Sequence, residues 1–220
     1  MRRYLPFFIV VVVGLATLAS GVMLYRAKRL PSLTMSKDDE ASTKGNAGPI
    51  HVRGRPDAAV TLEEFGDFQC PPCGTLAEPI ERLEHDYHSR LRVVFHHFPL
   101  PNHQHAREAA LAAEAAGLQG HFWEMHDLLY REQPVWSTAN NARELFNSYA
   151  GILGLNLDQF KKDMDSEKVK GRVDSDKTHG ASLGVTSTPT VFINNQAVRP
   201  ESLNPAALRA AIDAAIKKKS

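Results

Sequence analysis

At 220 residues the chain can hold one domain of ordinary size with further segments at its ends. A hydrophobic content of 43% suits a packed core, and a formal net charge of +1 gives no reason to expect nucleic acid. Two cysteines exclude a disulfide-rich scaffold, so the core must come from apolar packing.

The first segment is apolar. Residues 5–24 (LPFFIVVVVGLATLASGVML) carry no charge, and Arg26, Lys28 and Arg29 close the run. As a helix rising about 1.5 Å per residue, it is long enough for a hydrocarbon core of roughly 30 Å. Pro6 falls in the first turn, where a missing N–H is harmless. A buried soluble helix would need protein on every side. A cleaved signal peptide normally has a shorter apolar region of about 7–15 residues, although Ala19-Ser20-Gly21 offers small residues for cleavage. Length favours an uncleaved transmembrane anchor over residues 1–29, with secretion after cleavage as the alternative. Basic residues flank both ends, so the positive-inside count does not orient it. Residues 30–49 have few apolar groups and no sustained period, and read as a flexible spacer. The folded domain then covers residues 50–220.

Within it, AVTLEEFGDF has the length and composition of a strand, with Val60, Leu62 and Glu64 on one face. It runs directly into Cys70-Pro71-Pro72-Cys73. A helix follows to about residue 88, with Leu76, Ile80, Leu83 and Tyr87 on one stripe and a kink expected at Pro79. LRVVFHHFPL (91–100) is a second strand. From about 103 to 184 the pattern is helical, an insertion of some eighty residues. TPTVFINN is a third β segment, with Asn194-Asn195 as a turn into QAV. A last helix over about 205–218 buries Leu208, Ile212 and Ile216. Strands alternating with helices imply an α/β sheet.

Cysteines two residues apart at a helix start can close only a tiny ring, which stabilises little as a staple. As a redox pair the placement makes sense, because a helix N-terminus offers N–H groups and partial positive charge to a thiolate at Cys70. Cys70 should be the exposed nucleophile, and Cys73, one turn in, the shielded resolving thiol. Pro71 is pre-set for a helix start. Pro72 removes a second N–H and adds no charge, leaving the Cys70 sulfur to the amide and thiol of Cys73. The thiol pKa should fall, though less than with a cationic residue between the cysteines. A zinc site using the pair with His121 and His126 is the metal reading. The gap to His121 is long, and residues five apart on a helix diverge by about 140°. His96, His97, His103 and His105 are expected to be solvated or to sit where helices begin.

Taken together, VTLEEFGDFQCPPCG, VVFHHFPLPNHQHAREAA, GHFWEMHDLLY and GVTSTPTVFINN resemble a DsbA-like thiol–disulfide oxidoreductase, over about residues 50–216. The resemblance implies a thioredoxin-like α/β fold with an inserted helical subdomain, here preceded by the transmembrane helix. It implies that Cys70 attacks and Cys73 resolves, and that Thr188-Pro189 is the cis-proline loop facing the disulfide and pairing with substrate. It also matches Glu64, six residues before Cys70, to a buried acid that relays the Cys73 proton. Glu63 departs from the family by placing a charge at a usually apolar site, which leaves a register difference open. Asp67, Phe68 and Gln69 match the lead-in that shapes the turn, and Trp123 and His126 match a packing motif.

The function so implied is an extracytoplasmic, membrane-tethered oxidase, either periplasmic or at the cell surface. It would exchange disulfides with cysteine-containing substrate proteins and be reoxidised by a membrane redox partner, with no organic cofactor. A reductase or isomerase of the same fold stays open, as does a tethered copper- or zinc-binding module.

Overall fold

The computed structural model describes residues 51–219, so the expected anchor (1–29) and spacer (30–49) lie outside the described residues. Among the described residues, no helix is long and apolar enough to cross a membrane. Five strands form one sheet in the order β1–β3–β2–β4–β5. They are β1 His51–Gly54, β2 Val60–Gly66, β3 Leu91–His97, β4 Thr190–Ile193 and β5 Gln196–Ala197. β2 and β3 run parallel, while β1 pairs antiparallel with β3, β4 with β2, and β5 with β4. The β4–β5 turn places Asn194 and Asn195 at φ 45° and 66°. A two-residue hairpin turn of this hand favours asparagine at both positions.

Helix α1, Pro71–Tyr87, joins β2 to β3 and continues through Pro79. Its stripe of Leu76, Ile80, Leu83 and Tyr87 is buried against Val60, Leu62 and Val93 and against Leu208 and Ile212 of the last helix. Ile216 is partly buried against the same cluster.

Between β3 and β4 lie α2 Ala106–Gly117, α3 Phe122–Arg131, α4 Gln133–Trp136, α5 Ala142–Ile152, α6 Leu157–Met164 and α7 Glu167–Ser182. The last helix, α8, is Pro205–Lys219. Alanines bury most of α2, which lets neighbouring helices pack closely around Met125, Leu129, Trp136, Phe146 and Phe160. This inserted core is continuous with Phe68, Cys70, Cys73 and Phe95. On the opposite sheet face, Phe65, Phe98, Val185 and Phe192 form a smaller cluster.

The alternation along β2 separates its two glutamates. Glu64 faces α1, where it shares a cavity wall with Ala77 and Ile80. Glu63 faces the other way, 3.8 Å from His96 Nε2. The charge at position 63 is therefore matched by a partner.

His96 and His97 are buried on β3 rather than solvated, while His105, also buried, sits as expected where a helix begins, at the N-cap of α2. Asp176 on α7 gathers the first two: its carboxylate lies 3.3 Å from His96 Nδ1 and accepts the His97 backbone N–H at 3.0 Å. Arg172 also donates to it. Burial resists charge on His96, but Asp176 and Glu63 overcome it and raise its pKa to about 9. Burial likewise opposes charge on Asp176, yet His96 and Arg172 hold that carboxyl well below the usual range.

Replacing Asp176 with Asn takes the nearest counter-charge from the buried Arg172 and His96, and should cost about 3–5 kcal/mol. The signs fix the pH window. The depressed Asp176 stabilises above its unfolded pKa and loses this as pH falls. The raised His96 stabilises fully below 6.5 and loses this as pH rises through about 9. Urea midpoints should therefore show the largest wild-type advantage between about pH 5 and 6.5. An Asp176→Asn midpoint equal to wild type in that range would contradict the assignment.

Candidate active site

The chain leaves β2 at Gly66 and makes a turn built by side chains. Asp67 is almost fully buried, with Oδ1 accepting the Gln69 N–H at 2.7 Å and Oδ2 accepting the Leu100 N–H at 2.8 Å. His103 Nδ1 lies 2.7 Å from the same Oδ2, and the Cys70 N–H donates to the Asp67 carbonyl at 3.0 Å. Gln69 accepts the His105 N–H through Oε1 and donates to the Ser137 carbonyl through Nε2. The lead-in residues thus shape the turn and tie it to the inserted helices.

Gln133 on α4, which no sequence motif marked, clamps the turn from the far side. Its Nε2 donates to the carbonyls of Phe68 at 2.6 Å and Cys70 at 3.0 Å. A Cβ at Gly74 would sit 2.8 Å from Gln133 Oε1, so a side chain there would push the clamp aside.

Cys70 is the N-cap of α1, in extended geometry at φ −74° and ψ 117°. Pro71 and Pro72 have no N–H to give, so Cys73 supplies the first helix amide within reach. Both free thiols are present. The Cys70 thiol pKa is lowered to about 6. The hydrogen bond from the Cys73 thiol is the main cause; burial opposes it, and Thr188 and the Cys73 backbone N–H assist. The Thr188–Pro189 peptide is cis, and Cys70 Sγ lies 3.3 Å from the Thr188 carbonyl oxygen. An S–H donating to that carbonyl favours the protonated form. The buried Thr188 hydroxyl, without a partner of its own among the described residues, is the group of this loop able to favour the thiolate.

The expected exposure of Cys70 is not met. Only 4% of its surface is open, against 0% for Cys73, because the Thr188 loop covers the sulfur. Cys73 is the deeper thiol, and burial, its bond to Cys70 and the nearby Glu64 charge all push its pKa strongly up.

Glu64 is 2% exposed, and burial followed by the Cys70 charge raises its pKa to about 8. The buried Tyr130 hydroxyl also senses both cysteines and Glu64, and its pKa is raised by burial first and then by them. A Cβ at Gly66 would sit 2.9 Å from that hydroxyl, so this glycine admits Tyr130 to the floor of the site. The arrangement joins one stabilised thiolate, one protonated thiol and one carboxyl able to be neutral near pH 7. That set can attack a disulfide, resolve it and store the proton.

The histidines do not join the sulfurs. His121 is part-exposed beside Glu124, and His126 is buried with Nδ1 2.8 Å from Asp127. A second cluster groups His51, His97 and Glu114, whose donor atoms lie within 4.8 Å of one another. Glu114 Oε1 already bridges the two Nε2 atoms at 2.7 and 2.9 Å. Arg172 Nε stands 3.9 Å from it, which disfavours a cation. The knot is a buried hydrogen-bonded brace linking β1, β3 and α2.

A family model described as Thioredoxin matches residues 46–214. The chain belongs to this family. This thioredoxin-family chain is also similar to solved DsbA-like structures. BdbD from Bacillus subtilis superposes with a TM-score of 0.67 at 24% identity, covering 76% of this chain and 92% of that one. A thioredoxin-like oxidoreductase from Silicibacter pomeroyi gives 0.66 at 26% identity, covering 83% and 99%. The DsbA-like resemblance of the sequence is thereby carried by the fold. Among curated sequences, an NhaA 1 Na(+)/H(+) antiporter of Salinispora arenicola is 41% identical over 167 residues. That stretch is 75% of this chain and 24% of the antiporter. One from Mycolicibacterium gilvum is 40% identical over 149 residues, or 66% and 23%. The chain thus spans about a quarter of the length of these relatives.

Proposed function

We propose that the chain is a membrane-tethered, extracytoplasmic oxidase that donates the Cys70–Cys73 disulfide to cysteine-containing substrate proteins. As a DsbA-like member of the thioredoxin family it is a thiol–disulfide oxidoreductase. The observation that carries the oxidising direction is the lowered Cys70 thiol, held by the Cys73 thiol and amide at the start of α1. A stabilised thiolate favours the reduced pair and so makes its disulfide a better oxidant.

In that direction a substrate thiolate attacks Cys70 Sγ. The S–S bond breaks, and the electron pair leaves on Cys73, which takes a proton from the Glu64 carboxyl. A second substrate thiolate then attacks the substrate sulfur of the mixed disulfide and expels Cys70 as thiolate. The substrate has lost two electrons and the pair has gained them. A membrane redox partner takes these electrons and restores the disulfide. Thr188 and Pro189 border the attacked sulfur and receive the substrate backbone, and no organic cofactor enters the exchange.

The two prolines favour one alternative, a reductase. They leave a single helix amide near the sulfur, a weaker hold on the thiolate than an unblocked helix start provides. Equilibration with glutathione buffers, followed by alkylation, decides between them. A reduction potential near or above roughly −180 mV supports the oxidase, and one near −270 mV or below marks a reductase.

A further inference from the structure

Glu64 and His126 lie on different elements, yet they share a wall of one cavity of about 10 Å³. That is about the volume of one water sphere. Glu64 is 2% exposed and His126 5%. Among the described residues, Glu64 Oε1 and His126 Nε2 have no hydrogen-bond partner. A polar atom buried without a partner costs about 1–3 kcal/mol. Two residues that each carry such an atom and line one water-sized space are the setting in which a bridging water is favourable.

The far side of His126 is arranged for proton transfer. Nδ1 lies 2.8 Å from Asp127 Oδ1, so its proton is held by a carboxylate and the free lone pair falls on Nε2. Asp127 is 34% exposed and accepts Arg53 Nη2 at 2.6 Å. Burial lowers the His126 pKa, while Asp127 supports the charged form. Phe95, Tyr130 and Trp123 surround the ring with centroids 4.8–5.0 Å away and fix its orientation. The titratable groups around the path are Cys70, Cys73 and Tyr130 on the Glu64 side, His97 and Asp127 beside His126, and Arg53, Glu81 and Glu84 along the cavity wall.

We propose that a water in this cavity joins Glu64 to His126, and that His126, backed by Asp127, carries protons between Glu64 and solvent. The proposal rests on the reading that Glu64 exchanges a proton with Cys73. When Cys73 resolves a mixed disulfide, its proton passes to the Glu64 carboxylate. The new Cys73–Cys70 bond then expels the substrate thiolate. Glu64 gives a proton to the water, and the water gives one to His126 Nε2. The imidazolium releases its Nδ1 proton through Asp127. The reducing half-cycle, in which Cys73 regains a proton, runs the path backward and restores the starting tautomer. His126 acts through Glu64 and never touches the sulfurs.

The test follows oxidation of the full-length reduced protein by oxidised glutathione, with acid trapping and mass spectrometry of the glutathionylated intermediate from pH 5.5 to 9. His126→Gln keeps a hydrogen-bonding side chain but cannot carry a proton. The expected result is a roughly tenfold slower decay of the intermediate near pH 6.5. The gap should close above about pH 8, where Glu64 is already ionised. His126→Gln should add nothing to Glu64→Gln, because the two act in series. Wild-type decay in His126→Gln beside a slow Glu64→Gln overturns the relay and leaves the Glu64 reading intact. A slowing that is equal at every pH, or additive with Glu64→Gln, also overturns it, since packing alone would do that. A Glu64→Gln variant as fast as wild type removes the underlying reading itself.

Discussion

Cys70→Ser will abolish turnover, whereas Cys73→Ser will leave a protein that still attacks disulfides but accumulates mixed disulfides it cannot resolve. The asymmetry follows from where the two sulfurs sit. Cys70 is the helix N-cap, and its thiol pKa near 6 makes it about 90% thiolate at pH 7, against about 1% for a thiol left at 9. Cys73 is wholly buried, and its pKa moves up rather than down. It therefore needs both a proton acceptor and an adjacent disulfide before it can react. Removing Cys70 removes the sulfur that substrates meet, and activity should fall to the uncatalysed rate. Removing Cys73 keeps a hydroxyl donor in its place, so Cys70 should still be alkylated fast at pH 7. Non-reducing gels of the Cys73→Ser protein mixed with a disulfide substrate should show a stoichiometric adduct that dithiothreitol dissolves. Equal wild-type activity in both variants would sink the mechanism.

Much of this site was legible in the sequence, and the reasons are local. The pair spacing, the helix stripe behind it and the double proline state their consequences within one turn of chain. Pro71 and Pro72 leave Cys73 as the near donor whatever the rest of the fold does. The stripe Leu76, Ile80, Leu83 and Tyr87 needs only helical periodicity to be read, and all four residues are buried. Asn194-Asn195 states its turn as plainly, because few residues accept positive φ twice in succession.

What was hidden depends on residues far apart in the chain. Strand β1 has four residues and an exposed Val52, too short and too mixed for any period to show. Gln133 reaches the active turn across 63 residues, and no local pattern marks a glutamine that satisfies two distant carbonyls. The buried histidines misled for the same reason. His96 and His97 look like polar residues on a strand until Asp176, eighty residues away, and Glu114 supply their hydrogen-bond partners. The cover over Cys70 likewise comes from Thr188, more than a hundred residues downstream. Local patterning marked the pair and the helix it starts, and only the fold gave it a lid.

Glu64→Gln is expected to stabilise the protein while slowing it. The carboxyl is wholly buried beside two sulfurs, and its pKa stands at about 8 against 4.5 in the unfolded chain. A carboxyl raised in this way binds its proton more tightly when folded. Stability then falls as pH rises above 4.5, and the loss stops growing beyond about 8. At pH 7 the difference corresponds to as much as about 3 kcal/mol, at 1.36 kcal/mol per pH unit. A neutral glutamine removes that cost, so its urea midpoint should exceed wild type at pH 7 and the two should converge near pH 4.5. The same replacement takes away the group able to accept the Cys73 proton. Resolution of a mixed disulfide should slow by about a hundredfold near neutral pH, the usual scale for a lost general base. Opposite signs in the two measurements are the signature of a group retained for chemistry against its own stability cost. A Glu64→Gln protein that is slower but no more stable would place Glu64 in the packing of the site. One that is more stable but equally fast would take the Cys73 proton away from Glu64 and overturn the relay role.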